Sequence, residues 1–292
     1  MGLFGPHRLG LALGSGSARG GAHVGVLKAL ARAGIVPDVI AGTSMGAIIG
    51  SLYASGRDPD EIERIVLGFD VKGLLSLADV TITRGAILSG EKVEELLRGL
   101  LPETFADLRM PFGCSSTDLR VGRAVAHTSG SLVTAVRASM SVPVVLVPVE
   151  DGERLLIDGF LTDPVPVALA RSLGAEVVVA VDVSGSGRIE RFERGAHDSV
   201  GPLKELRAAL KGEGPRRRGL SSLDIAAATV EIMERQIAAP ALADADVVIS
   251  PDVHAFGGYE FLSAERIIAL GQEAGECAVA EIRRKARLRA RH

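Results

Sequence analysis

The sequence predicts an α/β fold, a three-layer sandwich with a largely parallel central sheet between two layers of helices. Short apolar runs alternate along the chain with segments in which apolar residues recur at helical spacing. The run at 176–183 consists almost wholly of Val and Ala, which is typical of a parallel strand that is buried on both faces. Glycine-rich turns join the first two strands to the helices that follow them. A sheet of this kind needs helices on both faces, which gives three layers.

The first half of the chain is predicted to hold two units of strand and helix, followed by shorter helices. In the first unit, Val24, Leu27 and Leu30 form a helical stripe, and Gly34 ends the helix. In order, the predicted elements are the strand Leu9–Leu13, the helix 18–33, the strand Val39–Thr43, the helix 47–54, a helix from Asp58, and a helix over 91–101.

The second half is predicted to add strands in pairs and then return to alternating strands and helices. The turn residues Val121 and Gly122 join one pair of strands, and Asp151 and Gly152 join the other. In order, the predicted elements are the strands 111–118 and 123–128, the helix Leu132–Ser139, the strands 144–149 and 154–157, the helix 164–173, the strand 176–183, the helix 223–238, the strand 246–250 and the helix 264–290.

One segment departs from this alternation. Residues 184–222 contain SGSGR, KGEGP and three consecutive arginines, and they are polar and rich in glycine. We expect a mobile polar excursion there rather than a domain boundary. The strands and helices in 174–292 are expected to complete the same fold that begins at residue 9.

Composition excludes several classes of function. The chain of 292 residues carries 33 basic and 36 acidic residues, so its charge does not indicate a nucleic-acid partner. Cys114 and Cys277 form neither a disulfide framework nor a metal-ligand pair, and no metal or other cofactor is expected. No apolar run reaches the roughly 18 residues of a membrane span. We expect a cytoplasmic protein, with peripheral contact at the inner membrane face as an option, and the oligomeric state stays open.

The stretch GTSMG, from Gly42 to Gly46, matches the GxSxG pattern of a nucleophile elbow. In such an elbow a tight turn from strand to helix exposes a serine hydroxyl, and the flanking glycines avoid clashes. The alternative is that Ser44 is only the N-cap of the next helix. The apolar strand before it and the apolar helix after it supply the context that an elbow requires, so we interpret Ser44 as a nucleophile.

A second glycine-rich turn, GSGSARGGAH, lies one strand earlier at 14–23. It lacks the lysine of a P-loop, and its third glycine falls one residue too late for a dinucleotide fingerprint. We interpret it as an oxyanion hole made by the amides of Gly16, Ser17 and Ala18, with Arg19 adding positive charge. Successive turns of a parallel sheet open on the same edge, so this loop and Ser44 are expected to meet there.

A serine nucleophile needs a base to take its proton, and residue patterns alone do not single out one base for Ser44. None of the six histidines has a placement typical of a catalyst, and His254, which follows a predicted strand, is the best of them. Asp158 and Asp182 both end predicted strands, and only Asp158 is followed by glycine. The residues favour Asp158 and leave the choice open.

Four stretches in this order resemble the patatin-like phospholipase family, particularly its short bacterial members. They are GSGSARGGAHVGVLKAL, GTSMGAIIGSLYA, RASMSVP and LLIDGFLTDPVPV, and together they cover about 9–173. The resemblance implies a patatin-like domain over 9–173 and a Ser-Asp dyad without a catalytic histidine, in which Ser44 is the nucleophile and Asp158 the base. Phe160 stands where the family usually has Gly or Ala, and we expect it to narrow the pocket or to fix an acyl chain.

These features together predict a serine acyl hydrolase that cleaves carboxylic esters of phospholipids or lysophospholipids. One alternative is a non-enzymatic lipid-binding or regulatory protein on the same fold, and another is a general esterase of short acyl chains. A histidine-dependent hydrolase is disfavoured because its nucleophile normally follows several strands. The apolar series from Ile62 to Leu77 is either a lid or acyl groove, or ordinary core packing. The basic residues at 283–291 either lean on anionic lipid or end a solvated helix.

Overall fold

A computed structural model describes residues 6–68, 90–184, 222–257 and 260–288. The strands in these ranges are β1 (Leu9–Leu13), β2 (Val39–Thr43), β3 (Phe112–Asp118), β4 (Arg123–His127), β5 (Val149–Asp151), β6 (Arg154–Asp158), β7 (Val177–Val181) and β8 (Val247–Ile249). The α-helices are α1 (Ala22–Arg32), α2 (Met45–Ala54), α3 (Pro59–Gly68), α4 (Gly90–Leu100), α5 (Leu132–Ser139), α6 (Val167–Ser172), α7 (Ser222–Asp244) and α8 (Ala264–Lys285).

All the strands described belong to one sheet with β1 near its centre. Its order is β5, β6, β3, β2, β1, β7, β8, and β4 also pairs with β3. The five strands from β3 to β8 along this order run parallel, whereas β4, β5 and β6 join through antiparallel pairs. The prediction of a largely parallel sheet is therefore confirmed. The antiparallel strands lie at one end, where β2 and β6 pair with successive parts of one side of β3 and β4 pairs with its other side.

Two apolar cores, one on each face of the sheet, produce the three layers. Successive side chains of a strand point to opposite faces. Leu11 and Leu13 of β1 accordingly pack into a large core with helices α1, α2, α5 and α8. Ala12 of the same strand belongs to a smaller core with α6 and α7. Helices that follow residue 173 thus lie on both faces of the sheet.

Helices α1 and α8 touch at their backbones. A Cβ atom placed on Gly25 would overlap the carbonyl oxygen of Ile268, and one placed on Gly271 would overlap the carbonyl oxygen of Ala22. Side chains at these two positions would have to push the helices apart. The two glycines therefore let α8 lie directly against the helix that follows the glycine-rich loop.

The predicted strand 144–149 is wrong over most of its length. Val144 has a φ of 72°, and the amide of Leu146 donates to the carbonyl of Val142 at 2.9 Å, so the chain turns there. Only Val149 belongs to a strand, β5, which pairs with β6. The run of mostly β-branched apolar residues in VPVVLVPV resembles a strand, but two prolines remove the amides that a ladder needs.

Several helix boundaries also differ from the prediction. The helix expected at 18–33 begins as a 3-10 turn at Ser17–Gly21, and the one expected at 164–173 begins only at Val167, because Pro164 and Pro166 disfavour helical backbone before them. Helix α7 extends to Asp244 past Pro240, and α8 ends at Lys285. The predicted excursion at 184–222, apart from its end residues, and the apolar series beyond Gly68 lie outside the described residues. In the part of the chain that is described, no helix has the length and hydropathy needed to cross a bilayer.

Candidate active site

The turn between β2 and α2 consists of Ser44 alone. Its φ of 56° and ψ of -118° lie outside the regions that most residues adopt, a type of strain that is concentrated at functional sites. A Cβ atom on Gly42 would overlap the carbonyl oxygen of Gly46, so the turn can close this tightly only with glycine there. The amide of Ser44 donates to the hydroxyl of Ser139 at 3.0 Å. The sequence therefore builds a strained turn that fixes the serine backbone.

The hydroxyl of Ser44 donates to Oδ2 of Asp158 at 2.7 Å. The strand order explains why residues so far apart in sequence meet. Thr43 at the end of β2 pairs with Ser115 of β3, and the next residue of β3, Ser116, pairs with Asp158 at the end of β6. Strands β2 and β6 therefore pair with successive parts of one side of β3, and Ser44 and Asp158 meet where these two strands end beside each other.

The carboxylate of Asp158 is held in place and fully buried. Its Oδ1 accepts from the amide of Phe160 at 3.0 Å, and its amide donates to the carbonyl of Ser141 at 3.0 Å. Burial raises the pKa of Asp158 to about 7, although the hydrogen bonds from Phe160 and Ser44 act in the opposite direction. A carboxyl group with a pKa near neutrality is suited to accept a proton from a serine hydroxyl.

Gly159 has a steric role beside the carboxylate. A Cβ atom there would overlap the carbonyl oxygen of Ser115 on β3. Glycine at this position lets the chain turn sharply after β6 into the 3-10 turn Gly159–Leu161. Phe160 is half-buried and supplies the amide that binds Asp158, and its effect on an acyl pocket stays a prediction.

The glycine-rich loop after β1 lies directly against the elbow. A Cβ atom on Gly46 would overlap the carbonyl oxygen of Leu13, and one on Gly20 would overlap the side chain of Met45. The structure thus brings together the two turns that the sequence places at one edge of the sheet. It also explains two of the glycines, because each stands where loop and elbow have no room for a side chain.

The loop presents amides that have no acceptor among the residues that the structure describes. The 3-10 turn begins at Ser17, which has a φ of 51°, and the amide of Arg19 donates to the carbonyl of Gly16 at 3.1 Å. Within the described part of the chain, the amides of Gly16, Ser17 and Ala18 have no hydrogen-bond acceptor. Three adjacent free donors at the start of a helical turn form a site for negative charge.

Arg19 is placed differently from its three neighbours. Its amide donates inside the loop, and its side chain is 7% exposed. Nη1 of Arg19 lies 3.7 Å from Oε1 of Glu231 on α7. The guanidinium of Arg19, which was predicted to add positive charge to an oxyanion hole, is therefore paired with a carboxylate of α7.

The histidines that the structure describes have other partners. Nε2 of His23 lies 2.7 Å from the carbonyl oxygen of Gly14, and Nε2 of His127 lies 2.7 Å from the hydroxyl of Ser116. His254 forms an ion pair with Asp252. In the part of the chain that is described, the Ser44 hydroxyl hydrogen-bonds to a carboxylate rather than to an imidazole. No group of three or more His, Cys, Asp or Glu side chains there could hold a metal ion.

Comparison with known proteins identifies a family for this chain. A family model described as patatin-like phospholipase matches residues 11–171, which is more than half of the chain. The chain belongs to the patatin-like phospholipase family. The resemblance inferred from the four sequence stretches is thereby confirmed. The matched segment contains both turns of the site and Asp158.

Curated relatives of this patatin-like protein are mostly longer chains. An uncharacterized NTE family protein of Mycobacterium tuberculosis is 39% identical over 180 residues, which are 61% of this chain and 50% of the relative. Lysophospholipase NTE1 of Coccidioides immitis is 32% identical over 279 residues, which are 92% of this chain and 17% of that protein. The chain spans about half the length of the curated relatives it matches first, or less.

Solved structures show more distant similarity. The crystal structure of VipD from Legionella pneumophila is 16% identical, with a TM-score of 0.49, and the alignment covers 94% of this chain and 67% of VipD. The type III effector ExoU is 14% identical with a TM-score of 0.44, over 95% of this chain and 53% of ExoU.

Four side chains that contact the site of this patatin-like protein were not predicted from the sequence to do so. Ser139 binds the elbow amide, His23 binds the loop carbonyl, and Glu231 and Glu234 reach the loop from α7. The two glutamates lie outside the segment that the family model matches. Only His23 carried a local signal, an isolated polar residue on an otherwise apolar helix face. The contacts of the others depend on elements distant in sequence.

Proposed function

We propose that the protein is a serine acyl hydrolase that cleaves carboxylic esters of lipids through an acyl-enzyme on Ser44. The observation that carries this proposal is the buried hydrogen bond between the Ser44 hydroxyl and Asp158 at a strained turn. A serine hydroxyl is a weak nucleophile unless a positioned base takes its proton. The arrangement supplies a nucleophile and a base in contact.

In the acylation step, Oγ of Ser44 attacks the ester carbonyl carbon while its proton passes to Asp158. The carbonyl oxygen becomes an oxyanion, and the amides of Gly16, Ser17 and Ala18 are proposed to donate to it. Donors fixed in advance where charge develops commonly provide a large share of such rate enhancement. When the intermediate collapses, the bond to the alcohol oxygen breaks, and that oxygen takes the proton from Asp158.

Deacylation repeats the same proton transfers with water. Asp158 accepts a proton as the water oxygen attacks the acyl carbon, and a second oxyanion forms in the same site. Collapse releases the fatty acid and returns the proton to Oγ of Ser44. Each residue ends in its starting state, and the sum of both steps is the hydrolysis of one ester to an acid and an alcohol.

A lysophospholipid is the substrate class that we propose first. The support is family membership together with the lysophospholipase named among the relatives, which shares nearly the whole length of this chain. A general esterase of short acyl chains would use the same catalytic groups. The two differ in the acyl pocket, where Phe160 is expected to matter, so chain-length preference distinguishes them.

A fluorophosphonate probe tests the chemistry directly. We expect it to label the parent protein on Ser44 and to leave Ser44→Ala unlabelled, with peptide mass spectrometry to locate the adduct. Initial rates on lysophosphatidylcholine and on nitrophenyl butyrate then separate the two substrate classes. Labelling that persists undiminished in Ser44→Ala would refute the assignment of the nucleophile. A folded parent that neither reacts with the probe nor hydrolyses either ester would favour a non-enzymatic lipid-binding role.

A further inference from the structure

We propose that Glu234 on α7 is a positioning residue that holds the glycine-rich loop in its oxyanion-binding shape through Ser15. The inference rests on the proposed function, because it concerns the loop that would bind the oxyanion. Glu234 lies outside the segment matched by the family model.

The contact between loop and helix is buried and direct. The hydroxyl of Ser15 hydrogen-bonds to Oε1 of Glu234, and the two residues are 4% and 7% exposed. The same hydroxyl lies 3.3 Å from the carbonyl oxygen of Pro164, and the amide of Ser15 donates to that carbonyl at 2.8 Å. Ser15 is thus fixed by its backbone on one side and by Glu234 on the other.

A second contact from the same helix restrains the other end of the loop. Glu231 precedes Glu234 by three residues, so both side chains lie on one face of α7. Glu231 pairs with the guanidinium of Arg19 at 3.7 Å. Between Ser15 and Arg19 lie the three residues whose amides have no acceptor in the described ranges of the chain. The helix therefore holds the loop immediately before and immediately after its free donors.

These restraints matter because the loop conformation is not one that the chain adopts freely. Ser17 has a positive φ, which costs energy for a residue with a side chain. Donors that stabilise a transition state must stay within a few tenths of an ångström of their working positions. A looser loop would bind substrate almost as well and would stabilise the oxyanion less. The loss should therefore appear in kcat rather than in KM.

Glu234 also acts on Asp158 by charge, which gives a second measurable effect. When ionised, Glu234 is among the groups that raise the pKa of Asp158. The pKa of Glu234 is itself raised by burial, and the nearby charges of Asp182 and Glu231 raise it further while Arg19 lowers it. Removing the Glu234 charge should therefore lower the pKa of Asp158, so that the base stays ionised to lower pH.

The test compares Glu234→Ala with Glu234→Gln in the full chain. The alanine variant loses the contact to Ser15, and we expect kcat to fall by about tenfold or more with KM within about threefold. The glutamine variant keeps the shape and the hydrogen bond without the charge. We expect it to stay within about threefold of the parent in kcat at pH 8 and to move the acid limb of kcat/KM to lower pH. Glu273→Ala, which removes an exposed glutamate from α8, is the matched control and should behave as the parent.

A double-mutant cycle with Ser15→Ala keeps the proposal testable if one variant is unstable. If Glu234 acts through Ser15, the losses in kcat of the two single variants should not add in the double variant. Full additivity, or a folded Glu234→Ala variant with parental kcat, would overturn the proposal. A Glu234→Gln variant as impaired as Glu234→Ala at pH 8 would overturn it as well. Fluorophosphonate labelling of Ser44 in the parent distinguishes these failures from a failure of the proposed function.

Discussion

Nε2 of His23 lies 2.7 Å from the carbonyl oxygen of Gly14, and the imidazole is completely buried. A carbonyl oxygen can only accept, so the proton of the neutral ring is on Nε2. Burial lowers the pKa of His23 to about 4, and the ring therefore stays neutral at physiological pH. This histidine of α1 thus anchors the start of the glycine-rich loop rather than exchanging protons with Ser44.

Replacing His23 by Gln should weaken this anchor and destabilise the protein. We expect a cost of about 1 to 3 kcal/mol at pH 7.5, because the Gly14 carbonyl loses a well-placed donor in a buried position. Below pH 6.5 the unfolded chain takes up a proton that folded His23 refuses, so the parent loses this stability as pH falls toward 4. The stability difference between parent and variant should therefore shrink between pH 6.5 and 4 in denaturant titrations. A difference that stays constant over this range would contradict the assignment.

Asp158→Asn should abolish most activity and yet stabilise the fold at alkaline pH. The amide keeps the shape of the side chain but cannot take the proton of Ser44, so we expect a loss on the order of 10²-fold or more. The raised pKa means that folding disfavours the ionised form of Asp158, by about 1.4 kcal/mol for each pKa unit. This penalty is complete above pH 7 and vanishes below the unfolded pKa of about 4. The variant should therefore melt higher than the parent at pH 8, and the gain should disappear at pH 4.

The pH profile of the parent should have an acid limb governed by Asp158. Since the base must be ionised and its pKa is about 7, kcat/KM should fall tenfold per pH unit well below pH 7.

We expect His127→Gln and His254→Gln to keep this acid limb and to stay within roughly tenfold of the parent rate. If a folded His254→Gln variant lost activity as deeply as Asp158→Asn, a histidine would have to be part of the mechanism.

Ser139→Ala should damage the elbow without touching the reacting groups. The Ser139 hydroxyl accepts from the Ser44 amide and donates to the carbonyl of Ser115 at 2.7 Å, and its removal leaves both groups without this partner. We expect a loss of about 1 to 3 kcal/mol in the free energy of unfolding and a fall in kcat. Ser172→Ala is a suitable control, because the Ser172 hydroxyl binds a carbonyl in the last turn of α6, away from the elbow. Similar losses of stability and kcat in Ser139→Ala and Ser172→Ala would contradict a specific role of Ser139 at the elbow.

The sequence was most informative where structure depends on neighbours along the chain. The bounds of β1 and β2 are as predicted because each is a short apolar run that ends at a glycine-rich turn. Asp158 was favoured as the partner of Ser44 because a strand ended there before glycine. The strand predicted at 144–149 was wrong because the prediction followed the run of β-branched apolar residues and neglected the two prolines, which cannot donate to a neighbouring strand.

Contacts between distant segments could not be predicted in this way. Ser15 and Glu234 are 219 residues apart, and nothing in the helical pattern of α7 marks one buried glutamate as different from its neighbours. The hydrogen bond between His23 and the Gly14 carbonyl could not be predicted, because it depends on the conformation of the glycine-rich loop. The pairing of the strands was likewise needed to show that β2 and β6 end beside each other on one side of β3, which brings Ser44 to Asp158.

The backbone contact between α1 and α8 also bears on synthesis at the ribosome. Gly25 of α1 emerges well before its partner Gly271 of α8, because more than 200 residues separate the two helices along the chain. Ribosomes add roughly 5 to 20 residues per second, so many seconds pass between the synthesis of α1 and that of α8, which packs on it. Ser44, the proposed nucleophile, is made long before α8, which packs against the helix that follows the glycine-rich loop. We expect stalled nascent chains that lack α8 to react with the fluorophosphonate probe far more slowly than released chains, so that the reactivity of Ser44 develops only after α8 has been made.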